Sequence, residues 1–488
     1  MTTPPLPTSF TKFGLFALYW LLISAFQYGF HISALNQISA VLMCRDPQGA
    51  ERNIETILFL PSCVPMTDAQ FSVVTAAFTI GGLGGSLFAG LLTDKYGRRG
   101  SLLTAAFFTF SGAFLLFIAS GVTTLVIARI LIGLAAGVSV SVGPVFLGEL
   151  APPAVRGKTG VLFQLSIVFG ILATQTVGLV FSSPWFWRFV PLISAAIALL
   201  QVAASAAMPE SHAWLAGNGQ TLEADQIREQ LWVGGSGAKY ESLRSEPEDV
   251  EARGIVQDED VDNDDPTLYD EPIGPVFEAH TTTKAISLLT LLRSPDLRVP
   301  VYVVASAMAA QQLSGINAVL YYSNAILGKT LPSLGPYVSL AITVVNVAMT
   351  FPPIFFIERI GRKKLLNISM LGGLVSLLAV GYGLDAGKKA LSSLAIITYV
   401  ASFACGLGPV PFVVISDIAP YHAVGALSSA ALSLNWITNF FVGLVFLPLR
   451  NFLSHGDPFL EGRVFYVFAA ALTVFGLALN FVYHETQR

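Results

Sequence analysis

Charge is what this sequence has least of. Asp, Glu, Lys and Arg make up 12% of its 488 residues, against about 25% in soluble globular proteins. Hydrophobic residues reach 53% and the mean hydropathy is +0.66. A soluble enzyme, a collagen-like chain and a disordered chain are thereby excluded together. The net charge of −4 offers no basic face for tracking phosphates, which argues against a nucleic-acid partner. Three cysteines are too few for a disulfide scaffold, and they show neither zinc spacing nor a CxxC pair. No nucleophile and base recur at matching membrane depth, so no enzyme, metal or cofactor is expected.

What is present is a series of apolar runs of about 20 residues, the length that crosses a bilayer as a helix. They lie near residues 13–42, 72–93, 101–120, 123–148, 159–182, 185–208, 297–327, 334–357, 365–385, 391–418, 425–449 and 463–483. Helices are required because an open sheet in lipid leaves backbone groups unpaired. The first run continues into polar-studded helix without a small-residue cleavage site, and is expected to remain as an anchor. The fold class expected is an all-α membrane protein. Two six-helix bundles, 1–208 and 297–488, flank a central loop, 209–296, with short helices near 210–232 and 284–294. Within the loop, 246–271 holds 12 acidic residues and one Arg and reads as a disordered insertion. The rest of the chain then carries 19 acids and 26 bases, so the membrane body is basic.

An internal repeat supports the division. Gly97-Arg98-Arg99 after the second run matches Gly361-Arg362-Lys363 after the eighth, 264 residues later; Glu149-Leu-Ala-Pro152 matches Asp417-Ile-Ala-Pro420 at an offset of 268. Duplicated six-helix halves around a midplane site are a transporter architecture. The basic clusters Lys95/Arg98/Arg99 and Arg359/Arg362/Lys363/Lys364 share a side with both termini, and positive-inside makes that side cytoplasmic.

Several stretches, in order, carry a resemblance: Gln27-Tyr-Gly-Phe30, Gly90–Arg99, Arg129-x-x-x-Gly133-x-x-x-Gly137, Pro144 through Glu149 and Pro152 to Arg156-Gly157, Pro209-Glu-Ser211, Gln311-Gln-Leu-Ser-Gly-Ile-Asn317 and Asn435-Trp-x-x-Asn439. The set resembles the sugar porter family of the major facilitator superfamily over nearly all of the membrane portion, most nearly the GLUT-type facilitators and their fungal homologues. The resemblance implies a hexose transporter working by alternating access within the lipid bilayer, functional as a monomer, with its oligomeric state left open. Plasma membrane is the family default; a vacuolar or endosomal membrane is the alternative.

The residues support this chemistry independently. A sugar's hydroxyls donate and accept, and amides answer both without ionising. Gln164 and Gln175 in the fifth span, Gln311, Gln312 and Asn317 in the seventh, Asn346 in the eighth, and Asn435 and Asn439 in the eleventh lie deep in apolar helices. Burying an amide unpartnered costs roughly 2–7 kcal/mol. One such residue serves equally to join helices; eight in matching helices point to a shared polar cavity. By resemblance, Gln164, Gln311, Gln312, Asn317 and Asn346 stand at sugar-contacting positions, with Ile167 beside them and Phe412 as an apolar wall. The tenth span departs from the family, which has Glu at the position of Ala404 and Trp at that of Phe412.

Asp94, Arg98, Arg99, Glu149, Arg156, Glu210, Glu358, Arg362 and Asp417 fall at cytoplasmic helix ends. There they are expected to cross-link the bundles as a latch holding the outward-facing state. The arginine that the family places after Asp417 is missing near Val424. His31 stands where proton-coupled relatives carry an Asp, opposite the fourth-span Arg129, so facilitative uniport is expected. Proton symport through His31 and a non-transporting sugar sensor are the alternatives; a sensor usually has a long tail, whereas this sequence stops at Arg488. Cys44 and Cys63 flank the first outward loop, either as a disulfide or as free thiols. The sequon Asn367-Ile-Ser369, at the cytoplasmic start of the ninth span, is expected to stay unmodified.

Overall fold

A computed structural model describes residues 9–45, 56–57, 60–152, 155–184, 186–233, 291, 293–328, 334–418, 423–457 and 460–483. The acidic run 246–271 lies outside the described residues. The first half comprises α1 (Lys12–Ile32), α2 (Ser39–Leu42), α3 (Asp68–Phe117), α4 (Val122–Leu150), α5 (Arg156–Phe181) and α6 (Phe189–Ala204). Two short helices follow, α7 (His212–Gly217) and α8 (Thr221–Leu231). The second half comprises α9 (Arg298–Leu313), α10 (Ile316–Gly328), α11 (Gly335–Met349), α12 (Pro352–Ile360), α13 (Arg362–Asp385), α14 (Lys389–Cys405), α15 (Val410–Ile418), α16 (Val424–Ser454) and α17 (Arg463–Val482).

Ten helical stretches among the described residues are long and apolar enough to cross a membrane. The 50-residue α3 supplies two spans, because its backbone turns at Gly97 (φ 73°, ψ −174°). The 15-residue α11 is continued by α12 across Thr350 and Phe351. With these the described residues hold twelve spans in an all-α membrane fold. Two spans are broken in mid-course: the seventh at Ser314–Gly315, between α9 and α10, and the tenth at Gly406–Pro409, between α14 and α15.

Small residues bring α3 and α4 into backbone contact, as transmembrane packing without a hydrophobic driving force requires. A Cβ at Gly133 would sit 2.1 Å from the Phe78 carbonyl oxygen, and one at Gly137 2.1 Å from that of Gly82. The halves meet along α3 with α16 and along α5 with α11. The repeat exchanges the second span with the eighth and the fifth with the eleventh, so the two seams are images of each other.

On the face away from Gly97 the halves are closed on each other by hydrogen bonds. Asn36 Nδ2 donates to Ser323 Oγ (2.7 Å), the Asn324 N–H to Asn36 Oδ1 (3.1 Å), Ser33 Oγ to the Leu320 carbonyl (3.1 Å) and Gln37 Nε2 to that of Pro336 (2.9 Å). Cys44 and Cys63 form a disulfide on this face. Beside it, Trp187 Nε1 donates to the Ser62 carbonyl (2.8 Å) and Arg188 to that of Pro61 (2.8 Å). On the opposite face α8 folds back on α1, the Thr11 N–H donating to the Leu231 carbonyl (2.9 Å).

The turn within α3 is tied to the end of the sixth span. The Glu210 carboxylate accepts from the Arg98 N–H (2.8 Å) and the Arg99 N–H (3.0 Å). A Cβ at Gly97 would lie 2.2 Å from Glu210 Oε2. Positive φ and this contact both require glycine there.

Two stability predictions follow from these close approaches. Gly133→Val is expected to destabilise the protein by about 1–3 kcal/mol through overpacking. Gly97→Ala is expected to cost a similar amount, about 1–3 kcal/mol, through backbone strain and displacement of Glu210. Thermal unfolding in detergent would show both, while Gly148→Ala in α4, where nothing lies within 4 Å, should leave the midpoint unchanged. Equal midpoints for all three variants would contradict the close-packing account.

Candidate functional site

Between the halves lies a cavity of about 490 Å³, within the range that holds a small organic ligand. Its walls use the Gly97-side halves of the helices: Val140, Ser141, Pro144 and Val145 of α4, Gly160, Phe163, Gln164 and Ile167 of α5, Phe412 and Ile415 of α15, and Ser428, Leu432 and Asn435 of α16. The cavity therefore extends from mid-membrane towards the Gly97 face, and the hydrogen-bonded seam closes the other face. No described residue lining it carries a charge.

Eight of the residues expected from the sequence line this space: Gln164, Ile167, Gln311, Gln312, Asn317, Asn346, Phe412 and Asn435. Gln175 and Asn439 do not. Gln175 is 1% exposed and lies on the closed side: at neighbouring Gly178 a Cβ would meet Gln37 Cβ at 2.7 Å. Asn439 is turned into the second half, where its Oδ1 accepts from the Tyr321 hydroxyl (3.1 Å).

The amides differ in what they have left to offer. Gln311 is saturated: its Nε2 donates to the Leu407 and Gly408 carbonyls, both at 2.8 Å, and its Oε1 accepts from Asn435 (2.8 Å) and Gln312 (3.3 Å). Asn317 Nδ2 donates to Gln312 Oε1. Gln164 and Asn346 make no side-chain hydrogen bond within the described residues, and Asn317 Oδ1, Asn435 Oδ1 and one N–H of Gln312 remain open. These groups can meet hydroxyls in both directions. Phe403, Ala404 and Phe412 of the tenth span add apolar surface to the same space. Phe412 is 42% exposed, so a ring's C–H face can pack there.

Gln311's own duty is to the broken tenth span. In a continuous helix the Leu407 carbonyl would accept from residue 411, but Pro411 has no N–H. An unpaired buried carbonyl costs about 1–3 kcal/mol, and Gln311 supplies the missing donors from α9.

Two residues of the wall carried a signal that the sequence reading used only as a family mark. Trp436 of α16 crosses the seam, its Nε1 donating to Ser86 Oγ (2.8 Å) and its ring fitting against Gly82. It meets Tyr28 edge-on at 6.0 Å between centroids, and both line the cavity. The pair Asn435-Trp436 and the stretch Gln27-Tyr28 had pointed to them.

Of the charged set expected as a latch between bundles, Arg98, Arg99, Glu149 and Glu210 find one another within the first half. Arg98 pairs with Glu149 through both nitrogens, Nε to Oε2 (3.0 Å) and Nη2 to Oε1 (2.9 Å). Ser211 Oγ donates to Glu149 as well. Glu210 binds the backbone of the Gly97 turn, so the turn, α4 and the sixth-span end are one unit. Asp94 is exposed and Arg99 enters through its backbone N–H. The side chains of Arg156, Glu358 and Asp417 lie outside the described residues, and Arg362 is partly buried. The reason is geometric: the turn at Gly97 lays Arg98 under the end of α4, in its own half.

His31 and Arg129 are each 1% exposed and are walled off from the cavity. Ser194 Oγ donates to Gln27 Oε1 (2.8 Å) and lies 2.6 Å from His31 Nε2. That oxygen then accepts from His31, which fixes the tautomer with Nε2 protonated. Arg129 Nη1 donates to the His31 carbonyl (2.9 Å), and its guanidinium lies 4.5 Å from the Phe78 ring centre. No described carboxylate contacts this pair. Asn367 and Asn480 donate to each other at 2.8 and 2.7 Å, so the sequon asparagine is held in an amide pair.

Comparison with known proteins agrees with this architecture. The family model described as "Sugar (and other) transporter" matches residues 17–488. A probable metabolite transport protein of Saccharomyces cerevisiae is 30% identical over 459 residues, covering 93% of this chain and 88% of the relative. Facilitated glucose transporter member 3 of solute carrier family 2 from Ovis aries is 31% identical over 485 residues, covering 97% and 90%. Among solved structures, an inward open conformation of the xylose transporter from E. coli aligns with a TM-score of 0.69 at 20% identity, covering 97% of both chains. The matching fold, the duplicated halves and the family match over residues 17–488 lead to one conclusion: the chain belongs to the sugar porter family of the major facilitator superfamily, a family of transporters and not of enzymes.

Proposed function

We propose that the protein carries a neutral polyhydroxylated solute, a hexose such as glucose, across a membrane by alternating access and without ion coupling. The observation that carries this reading is the cavity itself: open amide groups from both halves, apolar side chains among them, and no charge on any described lining residue. A carboxylate or ammonium substrate would find no counter-ion there.

Uniport is supported by the surroundings of His31. A coupled proton needs a titrating group that reaches the transport path, and His31 is enclosed behind Ser194, Gln27 and Arg129. A second positive charge beside Arg129 is unfavourable. The disulfide Cys44–Cys63 fits an oxidising exterior, and the basic clusters fit a cytoplasmic Gly97 face. With that orientation the conformation is inward-facing, and the family's usual setting makes the plasma membrane the proposed location. One chain supplies every wall, so the monomer is the proposed transport unit.

Uptake of radiolabelled D-glucose into proteoliposomes, with and without an imposed pH gradient, tests both parts. Saturable uptake is expected, with Gln312→Ala raising KM about tenfold, the equivalent of one hydrogen bond at the strong end of its range. The pH gradient should change neither the wild type nor His31→Gln, which keeps a side-chain donor for Ser194. Accumulation driven by an inward proton gradient and lost in His31→Gln would replace uniport with symport. The absence of any glucose flux would reject glucose as the solute and return the sensor reading.

A further inference from the structure

Gln311 lines the solute cavity and at the same time holds the broken tenth span together, and one amide cannot do both for a bound solute. Its Nε2 donates to the Leu407 and Gly408 carbonyls at 2.8 Å, beyond which α15 carries Phe412 and Ile415, part of the Gly97-side wall of the cavity. The other polar ties of the break are few. The Leu407 N–H donates to Ser369 Oγ (2.9 Å), and the Gly406 and Gly408 N–H groups turn back to the Phe403 carbonyl (3.2 and 2.9 Å). Gln311 is thus the described side chain that satisfies both carbonyls at the junction.

Resting on the reading that the cavity takes a hydroxylated solute, we propose that Gln311 is a catch on the α14–α15 break, and that a solute hydroxyl competing for its amide releases α15. Occupancy of the site and freedom of the wall below it are then linked through one side chain. By reciprocity, freeing α15 by other means favours solute capture. Gln311 acts here as a positioning residue for α15. Gln312, Asn317 and Asn346, which retain open groups, are the ones that hold the solute.

The chain carries its own reporter. Cys405 adjoins the break and is the free cysteine, since Cys44 and Cys63 are paired. It is partly buried and is not among the residues lining the cavity, so a bound solute does not cover it. The experiment follows maleimide labelling of Cys405 in the purified full-length protein, with and without D-glucose, whose binding is measured separately by calorimetry. Gln311→Met is expected to label about tenfold faster than the wild type without solute, the equivalent of the lost hydrogen bonds, and to be indifferent to glucose. In the wild type, saturating glucose should accelerate labelling. Ser376→Ala, which loosens the α13–α14 contact through Thr398 (3.2 Å), should leave the rate unchanged. Should Gln311→Met not yield a monodisperse protein, Gln311→Glu keeps the shape and removes both donors. Equal labelling of wild type and variant without solute overturns the catch. Glucose that binds by calorimetry without accelerating wild-type labelling overturns the coupling. Absence of calorimetric binding rejects glucose as the solute, and the solute-free comparison then decides the catch by itself.

Discussion

In hydrocarbon every backbone N–H and C=O must find its partner inside the protein, and this constraint governs both what the chain can be and where it can act. Uninterrupted helices meet it without help. The tenth span does not, because Pro409 and Pro411 remove donors and Gly406 and Gly408 leave the backbone open. The side chains recruited to repair it, Gln311 and Ser369, are therefore placed by backbone need as much as by any solute. Gln311 and Ser369 are held at the tenth-span break, and the cavity lies beside it.

Duplication adds a second constraint. Because the repeat exchanges the second span with the eighth and the fifth with the eleventh, each seam has a counterpart of the same helices in swapped roles. The α3–α16 seam is filled by Trp436 seated on Gly82. The α5–α11 seam includes Gln164 on one side and Asn346 on the other, both facing the cavity. Equivalent backbones with unlike side chains give one seam a packed indole and the other two amides that face the cavity.

Much of this was legible in the sequence because lipid makes the code simple: twelve apolar runs, two halves, and amides standing out against them. In α5 the two amides share a face but not a depth. Gln175 follows Gln164 by eleven residues, three turns, and so shares its side of the helix, but those turns amount to about 16 Å. At that depth the halves are already closed on each other beside Gln37, and depth is not written in a period. Asn439 failed by angle: four residues from Asn435, it is rotated far enough to meet Tyr321. The charges were correctly placed at helix ends, but their partners depended on the reversal at Gly97, which joins Arg98 to its own half. The pairing of Cys44 with Cys63, left open by spacing, needed the fold of the loop between α2 and α3.

The two faces of the molecule are held in different ways. The closed face is sealed across the halves by the Asn36 and Gln37 amides, the Ser33 and Ser323 hydroxyls and backbone carbonyls, and at its rim by the Asp68 carboxylate, which pairs with Arg45 and accepts from Asn451 of the other half. On the Gly97 face the described ion pair, Arg98 with Glu149, lies within the first half. Dissolved ions screen exposed charges, with a Debye length of about 8 Å at physiological strength, and barely act on buried neutral hydrogen bonds. Salt on the closed side therefore reaches a rim contact that joins the halves, while the buried amide seal beneath it holds at any ionic strength.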